Sequence, residues 1–487
     1  MGCDLKITVH FLILDIMKTI FSLFSFFFFL FSTQAQQVQW ANKLIKYSSD
    51  LGGKQFGIKR ILGKPDAFPQ AGVSPNAWTP KTALNGEFVV VGFENPQTVK
   101  QVAIFENLNA GCVSRISVAD ASGKFETVWS RKMNYKTPTF KGSIPADRKY
   151  YFKRKRRKIQ EAPEVLNPGI ENAILENAVS GVVAVRVEFN FALLPGQKQI
   201  DAIGISDSET PLQATINTSD AFEKLPASKI IVLDGITPTN PTISTDGKKL
   251  FITNIKEDKD EVYSFVKGTN GSWINKTVET QFNTNPNYNY IEYAGKDFLL
   301  KGGNAYAKGS NESGYELFSN DNNSLGIIKI TAFNNYEDTS DATITGDGKT
   351  FIMGIETDFT QGGTDLYFTQ RKDDGTYGFL QSMGKVINSA ADEGMAQLLS
   401  DQKTLLFSSN GFSGFGDFDI YISHRLDDSW KNWSEPINLG SKINSNEFDG
   451  LPFYDETSET LYFITNLDGT NVLKAISISK NILMNTK

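Results

Sequence analysis

Between Val38 and Asp207, apolar and polar residues alternate in short runs: Phe88–Phe93, Val99–Phe105, Ser114–Val118, Thr127–Trp129 and Val183–Phe189. Alternation at period two turns one side of each run inward and the other toward water, so each run predicts a strand. Glu94-Asn95-Pro96 and Ala121-Ser122-Gly123-Lys124 carry turn chemistry and separate neighbouring runs. The opening differs, because Trp40, Leu44 and Tyr47 stand at helical spacing and predict a short helix there. Short strands punctuated in this way predict a β-sandwich or jelly roll over residues 38–210. Residues of about 132–177 form an insert in that pattern, and residues 211–228, rich in Ser, Thr and Pro, read as a linker.

The second half repeats itself. Ile243-Ser244-Thr245-Asp246-Gly247-Lys248-Lys249-Leu250-Phe251 aligns with Ile344-Thr345-Gly346-Asp347-Gly348-Lys349-Thr350-Phe351 and with Leu399-Ser400-Asp401-Gln402-Lys403-Thr404-Leu405. Degenerate copies start at Tyr293 and Tyr454, which sets a period of about 50 residues. Each copy runs on to a further strand, as in Asp260–Tyr263, Gly363–Tyr367 and Asp417–Tyr421. Asp-Gly-Lys joins two strands tightly, since Gly accepts φ > 0 and Asp caps the backbone. A lone blade cannot bury its own faces, so the copies must stack radially. The prediction for residues 229–485 is a β-propeller of five blades, with six as the alternative, closed by Lys229–Leu233 pairing against the C-terminal region.

Two resemblances follow from these residues. The blocks Leu62-Gly63-Lys64-Pro65-Asp66, Asn76-Ala77-Trp78, Val91–Pro96, Val102–Asn107 and Gln199–Ile205 resemble the galactose-binding-like jelly roll that opens pappalysin-type proteins. The repeats resemble WD-like propellers of the TolB kind. Together they look like the front half of bacterial OmpA-like envelope proteins, without the OmpA-like domain. The first resemblance implies recognition at the loop end of the sandwich, often of a glycan and sometimes beside a structural calcium. Trp78, Asn76, Glu106 and Asn107 are then the candidate ligand-binding residues, and Asp66 and Asp201 are candidate calcium ligands. Asp417 and Asp419, in a Gly/Asp-rich loop, are further calcium candidates. The bland alternatives are turn-capping for the acids and core-plugging for Trp78.

Composition narrows the chemistry. The net charge of −6 offers no basic excess for nucleic acid. Lys18, an apolar run from Phe21 to Phe31 and the small residues before Gln36 predict a signal peptide over residues 1–35, with 1–16 as an upstream extension. Asp15 and Lys18 interrupt the apolar stretch, so no transmembrane segment is expected after cleavage. Periplasmic, outer-membrane-associated or secreted localisation follows from that reading. The cut leaves His424 as the one histidine and Cys112 as the one cysteine, which argues against Ser-His-Asp and Cys-His chemistry. The basic run Lys153–Lys158 reads as a solvated loop or a contact for anionic envelope polymers. The recurring acids Asp246, Asp347, Asp365, Asp401, Asp417 and Asp419 suggest repeat architecture, because residues repeated in every blade serve the blade. The expectation is a non-enzymatic binding protein, its sandwich docking a glycan or envelope polymer and its propeller docking protein or peptide. The alternative is a propeller glycoside hydrolase or lyase using two carboxylates from different blades.

Overall fold

The computed structural model describes residues 36–140, 167–257, 259–304, 309–333 and 341–486. The expected signal peptide and the basic run Lys153–Lys158 lie outside them. The fold is all-β, and among the described residues no helix is long and apolar enough to cross a membrane.

The N-terminal unit holds β1 (Val38–Trp40), β2 (Lys43–Tyr47), β3 (Gly86–Glu106), β4 (Val113–Ala119), β5 (Phe125–Ser130), β6 (Gly169–Asn190) and β7 (Ala202–Ser206). They bond in the order β1-β7-β3-β6-β4-β5, with β2 also on β3. The runs at Phe88 and Val99, expected as two strands parted by a turn at Pro96, are one strand, β3. It pairs with β6 on both sides of register shifts between Gly92 and Gln101. Proline lacks the ladder N–H, and a bulge accommodates it by bending the strand instead of ending it. The bend lets Val89 and Val91 from one half meet Val102 and Ile104 from the other in a single core. The helix expected over residues 40–47 is also replaced, by β1 and β2. Trp40 pairs with Gly204 and rests edge-on against Phe105 at 5.3 Å, while Leu44 pairs with Val91. Pairing with β7 and β3 outweighs a helical spacing built on only three residues, for Trp40 and Leu44 are only half-buried and Tyr47 is exposed.

The chain then passes through helix α1 (Asp220–Glu223), which is capped by the Ser219 hydroxyl. Phe222 is buried in a cluster with Ile420, Leu461 and Phe463, and Asn438 N–H donates to Asn217 O at 2.7 Å. The segment read as a linker is thus fastened to the propeller.

Strand β8 (Lys229–Ile231) comes next, followed by blade one: β9 (Pro238–Ile243), β10 (Lys249–Asn254), β11 (Glu261–Lys267) and β12 (Trp273–Val278). Blade two is β13 (Tyr290–Ala294), β14 (Phe298–Gly302), β15 (Glu312–Ser319) and β16 (Ser324–Lys329). Blade three is β17 (Asp341–Ile344), β18 (Thr350–Ile355), β19 (Asp365–Gln370) and β20 (Gln381–Ser382). Blade four is β21 (Glu393–Leu398), β22 (Thr404–Ser409), β23 (Asp419–His424) and β24 (Ile437–Asn438). Blade five is β25 (Asp449–Asp455), β26 (Thr460–Leu467) and β27 (Thr470–Ser477), and β8 completes it by pairing Ile231 with Leu473. The inner strands β9, β13, β17, β21 and β25 touch in cyclic order, so the five sheets close into a ring. Helix α2 (Lys480–Asn485) ends the fold, with Leu483 buried beside Ile476.

The turn chemistry takes the shape its sequence predicts. Gly247 and Gly348 adopt φ of +70° and +66°, and Gln402 holds the same turn position at +55°. The third copy of the repeat therefore keeps its shape without its glycine.

Candidate functional site at the junction of the two units

The repeated acids divide by position, and each class is engaged by the backbone. In the turns, Asp246 Oδ1 accepts from the Ser244 hydroxyl at 2.6 Å and from Lys248 N–H at 3.1 Å. Asp347 accepts from Thr345 and Lys349 in the same way, and Asp401 from Lys403 and Thr404. At strand starts, a carboxylate reaches back four residues to close the preceding loop. Asp365 accepts from Gln361 N–H at 2.8 Å, Asp419 from Phe415 at 2.6 Å, Glu393 from Ser389 at 2.7 Å and Asp449 from Ser445 at 2.6 Å. Burial raises Asp365 and Asp449 to about 6, Asp419 to about 7 and Glu393 to about 8.

Inner strands are tied blade to blade by side chains on backbone. Thr242 Oγ1 donates to Ile291 O at 2.6 Å. The Glu292 carboxyl lies against the Ala342 amide, and that of Asp341 against the Met395 and Ala396 amides. Gln397 exchanges two bonds with the Tyr454 backbone, at 2.6 and 3.2 Å. Burial first, and the Asp341 carboxyl second, hold Glu292 well above the usual carboxylate range, while burial brings Asp341 to about 6. Neighbouring acids pushed apart in this way also mark acid–base pairs in hydrolases. Here, however, Asp341 is 8% exposed, and its Oδ1 lies 3.0 Å from where a Cβ on Gly354 would stand.

Asparagines, which the sequence reading passed over, do parallel work. Asn283, Asn388 and Asn444 each accept from and donate to one backbone residue, namely Val262, Leu366 and Ile420, at 2.7–3.2 Å. Each mimics a strand partner where the ladder has run out. Their recurrence in blades one, three and four is a signal the sequence contains.

The loop end of the N-terminal unit is packed against the propeller. Asn76, 1% exposed, donates from Nδ2 to Gly411 O at 2.6 Å and accepts on Oδ1 from Ala390 N–H at 2.8 Å. Gln55 Nε2 donates to Ala390 O at 3.0 Å, the Ser413 hydroxyl to Pro65 O at 2.8 Å, and Lys54 Nζ to Thr360 O at 2.5 Å. An exposed ion pair, Lys64 with Glu435 at 3.1 Å, flanks these bonds and adds little to them. Blades three and four supply the propeller side.

The other predicted residues surround this end without forming an open site. Trp78 is 0% exposed in the core, its ring edge-on to Phe189 and tilted on Phe191, so it presents no face to a sugar. Its NH is buried and has no hydrogen-bond partner among the described residues. Asn107 donates to Gly72 O and Gln199 Oε1, and Glu106 accepts from the Gly111 and Cys112 amides. Burial raises Glu106 to about 8. Asp201 accepts the amides of Asp66, Ala67 and Phe68, each at 3.2 Å. Burial, then the adjoining Asp201 carboxyl, holds Asp66 well above its usual range. Asp201 thus spends its oxygens on N–H groups, which a hard cation taking 6 to 8 oxygens would have to displace. Asp419 is taken up by its loop and by Asn438 Nδ2 at 2.8 Å, and the Asp417 amide donates to Glu447 O at 3.3 Å. Among the described residues, no three His, Cys, Asp or Glu side chains come together for a metal.

No protein-family model matches the chain, and no curated protein does. Among solved structures it is similar to chitosan-binding module 1 of a chitosanase/glucanase from Paenibacillus sp. IK-5, at 17% identity over 34% of this chain and 95% of that one, with a TM-score of 0.22. It is also similar to the family 32 carbohydrate-binding module of EndoD from Streptococcus pneumoniae, at 11% identity over 34% and 94%, TM-score 0.23. TolB from Acinetobacter baumannii is similar at 14% identity over 50% of this chain and 55% of that one, TM-score 0.30. The fold assignment rests on the strand pairing itself.

Proposed function

We propose that this chain is a non-enzymatic binding and interaction protein of the cell envelope or the secreted space. Its N-terminal unit, read as a galactose-binding-like jelly roll, docks a glycan or envelope polymer, and its propeller docks protein or peptide. One observation carries the non-enzymatic part: each acid a hydrolase would need has a carboxylate oxygen engaged with backbone amides. Two-carboxylate hydrolysis requires a pair about 5 to 9.5 Å apart that opens onto a substrate. Of the acids that act on one another across adjacent blades, Glu292 meets an Asp341 closed in by Gly354, while Asp365 with Glu393 and Asp419 with Asp449 are each tied to their own loop amides. The glycan part is supported by the five sequence blocks. With the loop end packed on the propeller, recognition falls on other surfaces of the N-terminal unit.

The test is retention of the intact chain on isolated envelope polysaccharide and on peptidoglycan, with and without a calcium chelator. Retention that survives chelation is the expected result. Polysaccharide cleavage that is lost in Glu292→Gln would overturn the reading, and absence of retention would move recognition to a protein partner on the propeller.

A further inference from the structure

Glu393 lies directly beneath the junction. Its Oε1 accepts from the hydroxyls of Ser389 at 2.6 Å and Ser409 at 2.7 Å, and its Oε2 from Ser389 N–H. Those hydroxyls in turn accept from Ala391 N–H and Gly411 N–H, both at 2.9 Å. One carboxyl thus fixes the two loops whose Ala390 N–H, Ala390 O and Gly411 O are the groups that Asn76 and Gln55 bind. A Cβ on Gly411 would stand 1.8 Å from the Ser389 hydroxyl and 2.9 Å from Glu393 Oε1, so loop and carboxyl are in direct contact.

The charges facing this carboxyl are unbalanced. Asp365, on the start of β19, raises its affinity for a proton, and the buried Tyr421 hydroxyl of β23 also faces it. Arg60, from the N-terminal unit, is a cation that Glu393 acts on, and it is shared with Asp66 and Asp365. Serine hydroxyls satisfy either protonation state, donating to a carboxylate or accepting from a carboxyl. An ionised Glu393 held beside Asp365 gains from water, and Asn76 of the N-terminal unit sits on the two loops that Glu393 holds.

We infer that Glu393 is a proton-operated control on the docking of the N-terminal unit. Neutral, it keeps the 389–391 and 409–411 loops in the arrangement that Asn76 and Gln55 bind; ionised, it favours separation of the two units. The response therefore runs upward from the ordinary carboxylate value of an exposed glutamate and levels off near 8, the value to which burial raises Glu393 in the docked form.

The test follows the radius of gyration and the exchange of the Ala390 amide, corrected for intrinsic base catalysis, in the intact chain between pH 6 and 9. Exchange is expected to rise by up to tenfold per pH unit, as one-proton linkage dictates, with an expanding radius and unchanged far-UV circular dichroism. Glu393→Gln, neutral at every pH, is expected to flatten both curves. Asp365→Asn provides a second variant: removing the like charge lowers the proton affinity of Glu393, so opening saturates at lower pH and is smaller at pH 9. A flat wild-type profile, or variants that both keep the wild-type slope, would overturn the inference.

Discussion

Replacing Asn76 by alanine is expected to destabilise the folded chain by about 2 to 5 kcal/mol, because it orphans a donor and an acceptor at once. Ala390 N–H and Gly411 O both lose their partner in a place where Asn76 itself is 1% exposed. Each unsatisfied buried group costs about 1–3 kcal/mol, and alanine can replace neither bond. Asn76→Asp is expected to be milder in one respect, since its carboxylate still accepts from Ala390, while facing Gly411 O without a hydrogen to give. Urea titration monitored by tryptophan fluorescence measures both variants. Unchanged midpoints would mean that Asn76 does not hold the junction.

The second large effect is on the pH dependence of stability. Burial raises Glu106 and Glu393 to about 8 and Asp419 to about 7. The folded chain keeps protons on these groups that an unfolded chain releases near the ordinary carboxylate value of about 4. Their contribution is complete below that value and is lost as pH rises toward 7 and 8, at about 1.4 kcal/mol per group per pH unit within each window. The turn aspartates act oppositely: the Ser244 hydroxyl holds Asp246 down, and Asp347 is also lowered because its Thr345 and Lys349 bonds outweigh partial burial. Acid below about pH 4 removes their part. Stability is therefore expected to peak on the acidic side, between about pH 4 and 5, and to decline through neutrality, with Glu106→Gln flattening the decline. Urea midpoints measured from pH 4 to 9 check this; a maximum at pH 7 to 8 would contradict the protonated state of these carboxyls.

The propeller was readable because its determinants are local. Asp-Gly turns need the positive φ that Gly247 and Gly348 adopt, and the alternating runs after them are the second strands of their blades. The closing pair of Lys229–Ile231 with Leu473–Ala475 follows once a ring is assumed, since an apolar strand without a neighbour must find one. The bend in β3 was not readable, because Glu94-Asn95-Pro96 suits a bulge as well as a turn and β6 decides between them. The loop-end residues carry no such signal, because polar side chains near strand ends have the same composition whether they meet a sugar or another unit. Asn76 and Ala390 are 314 residues apart, and no local pattern announces that contact.

The claim on which the rest depends is that the N-terminal unit and the propeller form one docked body. Differential scanning calorimetry of the intact chain at pH 6 tests it most directly. A single transition is expected, its calorimetric and van't Hoff enthalpies in agreement, divided into two by Asn76→Ala. Two independent transitions in the unaltered chain, at temperatures that Asn76→Ala leaves in place, would contradict it.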